Sequence, residues 1–230
     1  NSYTHQPKAV SYSSAFSSAP SLLAKLDSFN GADPANLRIS SLSASGFTAR
    51  VYEEQSKDSE INHGRESLSY LALEGSSGDL IGEAYSPPTS TFAEYGQLSV
   101  NHNWQSISLD NSYTNPVVIV SDPSFNGADP AAMRLRNVGS SSFQIRLQEP
   151  NYKDGRHGNE SLTYLVMEAG EWELSDGTRL SAGTTSSNKL SSAGFESLSF
   201  SNSFSSAPTV LSQVQTYAGK DWVTTRTRGI

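Results

Sequence analysis

Cysteine is absent from all 230 residues, which excludes disulfides, thiolate metal sites and cysteine nucleophiles. No stretch approaches the roughly 18 consecutive apolar residues of a membrane span. The first residues, Asn1-Ser2-Tyr3-Thr4-His5, lack the basic and apolar regions of a signal peptide. A soluble, already processed fragment without membrane insertion is expected. Positive charge is scarce: 16 Lys and Arg stand against 23 Asp and Glu, for a formal net charge of −7. Phosphates need basic side chains, so no nucleic-acid partner is expected. Helical periodicity is also lacking, which leaves helix a minor component.

What the chain has instead is repetition. "FNGADPANLR" at 29–38 returns as "FNGADPAAMR" at 125–134, and the match extends at an offset of 96 through Phe47/Phe143, Arg50/Arg146 and Glu53/Glu149. The offset then drops to 94 for His63/His157, Glu66/Glu160, Tyr70/Tyr164 and Glu74/Glu168, a length change that a loop absorbs and a strand does not. A third copy, "FSSAPTVLSQVQTYAG" at 204–219, answers "FSSAPSLLAKLDSFNG" at 16–31 at an offset of 188. A period near 95 is too long for the usual solenoid and suits a string of small domains.

The copies agree on strands. "FTARVYE" (47–53) and "FQIRLQE" (143–149) alternate, placing Phe47, Ala49 and Val51, and likewise Phe143, Ile145 and Leu147, on one face, with Arg50 and Arg146 on the other. "SLSYLALE" (67–74) and "SLTYLVME" (161–168) are more continuously apolar, as in a strand covered on both faces or a central one. "PSLLAKL", "PVVIVSD" and "PTVLSQVQT" each follow a proline suited to a strand start. The expected fold class is all-β, with tandem antiparallel β-sandwiches of about 95 residues. "NGADP" reads as the link between two strands, its glycine supplying positive φ.

Polar residues recur before each Tyr-Leu strand: Asp58, His63 and Glu66, then Asp154, His157 and Glu160. One reading is a histidine bonded to a glutamate that pins its loop; another is a sugar site, since carboxylates accept paired hydroxyl bonds while histidine and arginine donate. One histidine and two loosely spaced acids per copy match zinc weakly, and for calcium Asn30, Asp33 and Asp58 are only a beginning. The metal question stays open, and no cofactor is expected. No glycine-flanked serine elbow occurs, and a non-enzyme is expected; Glu53 with Glu66 is the pair to test for glycoside hydrolysis. Arg38, Arg134 and Arg226 form the basic position kept in all three copies. Alternation turns Leu37 and Ile39 inward, and Met133 and Leu135 likewise, so the arginine heads are expected on the outer face. Phe16, Phe47, Tyr70 and Tyr164 read as core.

The frame "F-x-x-x-P-x-V/L", then "LRISSLSASGF", then "SYLALE" resembles the H-type lectin domain of invertebrate agglutinins and bacterial proteins. In that family an arginine nine residues before the Gly-Phe phenylalanine contacts sugar, and Arg38 lies nine before Phe47, as Arg134 does before Phe143. Members are antiparallel sandwiches that commonly trimerise and bind sugars at subunit borders, partly through a tryptophan–histidine pair before the last strand. This chain carries no tryptophan there, only the loops of His63 and His157. The resemblance implies a secreted, non-catalytic carbohydrate-binding repeat protein of cell-surface or polysaccharide adhesion. Its sugar-binding residues would be Arg38, Asp58, His63, Glu66, Arg134, Asp154, His157 and Glu160. It also implies a first repeat at 1–75 without its opening strands, a complete repeat at 76–169 and a partial one at 170–230. An incomplete sandwich exposes edges, so a homo-oligomer or strand exchange between repeats is expected. The alternative is a filament or adhesin stalk whose repeats act as spacers.

Overall fold

The computed structural model describes residues 2–84, 89–201 and 203–230. In the first repeat β1 (Lys8–Ser11), β2 (Ser21–Leu26), β3 (Ala35–Ser43), β4 (Gly46–Glu53) and β5 (Leu68–Leu73) form two antiparallel sheets, β1-β4-β3 and β2-β5. The alternation of β4 turns Phe47, Ala49 and Val51 onto Leu22, Ala24 and Leu26 of β2 and Leu37 of β3, making one core between the sheets. Burying a side chain such as Leu37 contributes about 1.5–3 kcal/mol.

The second repeat uses the same pairings. It contributes β6 (Ser77–Ala84), β7 (Thr89–Val100), β8 (Gln105–Ser108), β9 (Pro116–Val120), β10 (Ala132–Arg136), β11 (Ser142–Gln148) and β12 (Glu160–Glu168). Strands β8, β11 and β10 form one antiparallel sheet, as β1, β4 and β3 do, and β12 pairs with β9 as β5 pairs with β2. Phe143, Ile145 and Leu147 meet Val118, Val120, Leu162 and Val166 in a second core. Here β12 has a further partner, β7, and the sheet runs on through β6 to β13 (Gly170–Leu174) and β14 (Arg179–Ala182). The hairpin that opens residues 170–230 is thus hydrogen-bonded to the opening strand of residues 76–169.

The fold is all-β and antiparallel, as the patterning indicates; a 3-10 turn at Ser191–Ala193 is the single helical element among the described residues. No helix there is long and apolar enough to cross a membrane. The continuous apolarity of "SLTYLVME" has its cause: Leu162 and Val166 enter one core, while Leu165 and Met167 enter a third, shared by Leu23, Phe92 and Trp172. Leu71 and Leu73 of β5 and Leu211 join that third core, so it lies between repeats. One strand expectation fails. "PTVLSQVQT" carries no strand, because β2 is held by β5 and β9 by β12, whereas no described strand pairs with residues 208–216.

Candidate functional site

Glu66 and Glu160 stand just before β5 and at the start of β12, and each receives a converging set of donors. Glu160 accepts from the Ser124 hydroxyl, from the Asn126 N–H at 2.9 Å and the Gly127 N–H at 2.8 Å, and faces His157 Nε2 at 3.0 Å. Glu66 repeats this with the Ser28 hydroxyl, the Asn30 and Gly31 N–H groups at 3.0 Å each, and His63 Nε2 at 3.1 Å. The second histidine nitrogen meets another carboxylate: His63 Nδ1 lies 2.5 Å from Glu53, and His157 Nδ1 lies 2.9 Å from Glu149. The working triads are therefore Glu53–His63–Glu66 and Glu149–His157–Glu160.

Asp58 and Asp154 lie outside these triads and are exposed; Asp154 accepts from the Arg156 N–H. Asp58 falls with Asp33 and Glu60 in an acidic group whose oxygens lie within 4.8 Å of one another, and Asp33 is paired to Lys57 at 3.1 Å. Glu53 and Glu66, the pair proposed for hydrolysis, have the His63 ring between them and are buried.

Gly31 and Gly127 adopt no positive φ, so glycine is required in "NGADP" for a reason other than the one its turn chemistry suggests. A Cβ on Gly31 would lie 2.5 Å from His63 Nε2, and one on Gly127 would lie 2.9 Å from His157 Nε2. Each imidazole is wedged against glycine and fixed at both nitrogens, leaving it little room to yield. Gly31→Ala is expected to cost about 1–3 kcal/mol and Gly127→Ala less, read as shifts in urea midpoint.

The arginines complete the arrangement from other repeats. Arg38 sends Nε to Ser124 O at 2.8 Å, Nη1 to Asp129 O at 3.0 Å, and Nη2 to Gly127 O at 2.9 Å and Glu160 at 2.7 Å. Its guanidinium lies 4.8 Å from the Phe125 ring centre. Arg226 reaches back to Ser28 O at 3.0 Å and Glu66 at 2.6 Å, over Phe29. Arg134 reaches Asp221 O at 2.5 Å, Gly219 O at 3.0 Å and Gln148 at 2.8 Å, over Tyr217. First repeat grips second, second grips third, and third grips first. We call each such arrangement a clasp.

The alternation reading of Arg38 and Arg134 holds within their own sheets, but the outer face is not solvent: both side chains are buried under the loop of the next repeat. Arg38, His63, Glu66, Arg134, His157 and Glu160 are all buried, and the structure brings them together across repeats rather than around an open cleft. Sequence reading missed Ser28, Ser124 and the ring of Phe125, although "SFNG" recurs in both copies; it also missed Glu149 as a histidine partner.

Electrostatics follow this geometry. Burial alone would raise the Glu66 carboxyl, but the Ser28 hydroxyl, the Gly31 N–H, Arg226 and the Asn30 N–H outweigh it and hold it at about 2. Glu160 is likewise held at about 2, burial being outweighed by His157, Ser124 and the Asn126 and Gly127 N–H groups. His157 is raised: burial opposes its charge, and Glu160 and Glu149 more than restore it. A protonated imidazole can donate from both nitrogens, and His157 has a carboxylate oxygen within 3.0 Å of each. Burial lowers Arg38 and Arg134 from their ordinary value; Glu160 opposes this for Arg38, and Tyr217 and Asp221 oppose it for Arg134.

No family model and no solved structure matches this chain. It is 33% identical over 164 residues to Halomucin from Haloquadratum walsbyi, which covers 66% of this chain and 2% of that protein. The chain is therefore similar to a short stretch of a far longer protein.

Proposed function

We propose that this chain is a non-catalytic structural segment of a cell-surface repeat protein, in which repeats fasten to one another through arginine–glutamate–histidine clasps. One observation carries the reading: the arginine kept in all three copies closes, each time, on the loop of another copy. Apart from Glu53 Oε1, which is buried without a partner, the donors and acceptors of the two triads and of Arg38 are taken up by protein groups, which favours fastening over ligand capture. The match to Halomucin supports a location outside the cell. Wild-type protein is expected to unfold in a single calorimetric transition, and Arg38→Met to lower and split it. The reading is lost if Arg38→Met keeps the wild-type transition yet abolishes saturable glycan binding.

Carbohydrate binding is a second reading, favoured by one surface feature. Trp104, Arg146 and Tyr217 stack in succession over the buried Arg134, with Arg146 at 4.9 Å and 5.3 Å from the two ring centres and Arg136 at 4.0 Å from Trp104. An open groove of about 450 Å³ lined by Arg136, Gln215 and Tyr217 runs beside this stack. Aromatic faces and guanidinium donors are the chemistry that sugars use. A glycan array on wild type and Trp104→Ala tests it: silence of both rejects the reading.

A further inference from the structure

The three clasps differ in one respect. Arg38 and Arg226 each meet a carboxylate, at 2.7 Å and 2.6 Å, whereas among the described residues Arg134 meets carbonyl and amide oxygens and no carboxylate. Arg134 is 2% exposed, and its Nε is buried without a partner. The Asp221 carboxylate acts on it without bonding it, and a buried guanidinium whose direct acceptors are all neutral carries a desolvation cost that a bonded anion would offset.

The loop it grips has the makings of an anion site. By the offset of 188, Thr216, Ala218 and Gly219 stand where Ser28, Asn30 and Gly31 stand. Arg134 contacts Gly219 O and Asp221 O as Arg38 contacts Gly127 O and Asp129 O, so the third loop is seated like the second. A hydroxyl, two backbone N–H groups and a buried guanidinium are the donors that elsewhere hold Glu66 and Glu160.

Two neighbouring features identify what would carry the carboxylate. Residues 208–216, counterpart of β2, pair with no described strand, whereas β2 is paired along its length by β5, the strand that follows Glu66. Leu198 and Phe200, counterparts of Val10 and Tyr12, are 68% and 47% exposed; Tyr12 instead packs against Tyr70 of β5 at 5.9 Å. A strand of the β5 kind, led by its glutamate, would pair with 208–216, cover Phe200 and charge-match Arg134.

We propose that Arg134, Thr216, Ala218 and Gly219 form a receptor for the glutamate carboxylate of a β5-type segment belonging to another copy of the repeat. This rests on the clasp reading above and names the partner of its third member. The test uses the full chain and a synthetic peptide with the sequence of residues 60–74. Calorimetric titration is expected to give saturable one-to-one binding, weakened about tenfold or more when the peptide carries Glu66→Gln. Phe200→Ser in the chain, which removes a half-exposed ring whose ring contact is Phe204, is expected to weaken it as well, with an unchanged unfolding transition showing that the fold is kept. Sedimentation distinguishes the sources: oligomers dispersed by peptide mean that a second chain supplies the segment, and a monomer that binds peptide means that a further repeat does. Absence of saturable binding, or equal binding of the Gln peptide, overturns the proposal. If Glu160→Ala destabilises the chain while the peptide fails to bind, this receptor is wrong and the clasp reading stands.

Discussion

Glu160→Ala is expected to lower the unfolding free energy by about 3–5 kcal/mol, the range for breaking a buried ion pair from one side. The substitution strands five groups at once: the Arg38 guanidinium, the Ser124 hydroxyl, the Asn126 and Gly127 N–H groups and His157. The Arg38 guanidinium is buried, and among the described residues no other carboxylate bonds it. Arg38→Met is expected to cost less, because Glu160 keeps its remaining donors and the methionine stem preserves packing on Phe125. In the double variant the losses should not add, since both changes remove the same pair. Urea unfolding of the four proteins measures the cycle. A loss under about 1 kcal/mol for Glu160→Ala, the level of an exposed pair, would show that the clasp does not hold the repeats.

The fold was legible where a pattern was local. Alternation in 47–53 and 143–149 placed β4 and β11 and their core faces, and unbroken apolarity in 161–168 anticipated a strand facing two cores. The clasp residues were legible as a recurrence without a partner. Arg38 was read as outward-facing, which is true of its sheet, but what covers that face is a loop some 90 residues away, and no local pattern records such a contact. The histidine's first acid escapes local reading for a related reason. Asp58 is nearer in sequence, but Glu53 ends a strand whose direction carries its carboxylate to the ring, whereas Asp58 lies on an exposed loop. The glycine of "NGADP" has the look of a turn residue, although the requirement is room for an imidazole that arrives from a separate loop. The segment 208–216 has the sequence of a strand, but a strand needs a partner, and pairing is not a property of the segment.

Acid is the second perturbation with a large expected effect. Glu66 and Glu160 are held at about 2 against an ordinary 4.5. A carboxyl depressed in the folded state contributes stability that is fully present above about pH 4.5 and is lost as pH falls toward about 2. A shift of this size corresponds to about 3 kcal/mol per group, and the two together are comparable with the whole stability of many domains, about 5–15 kcal/mol. Glu53 works with the opposite sign: burial raises it, so its ionisation costs stability as pH rises through the ordinary carboxylate range. His157 is raised from 6.5, so its contribution is complete below that value and is lost as pH climbs through its higher folded one. Stability should therefore peak between roughly pH 4.5 and 6.5, fall steeply on the acid side and decline gently on the alkaline side. Urea midpoints measured from pH 2 to 9 give the curve, and Glu160→Gln should flatten its acid limb by about half, because one of the two depressed carboxyls is then gone. A midpoint unchanged between pH 5 and 2.5 would mean that neither carboxylate is held as its donors imply.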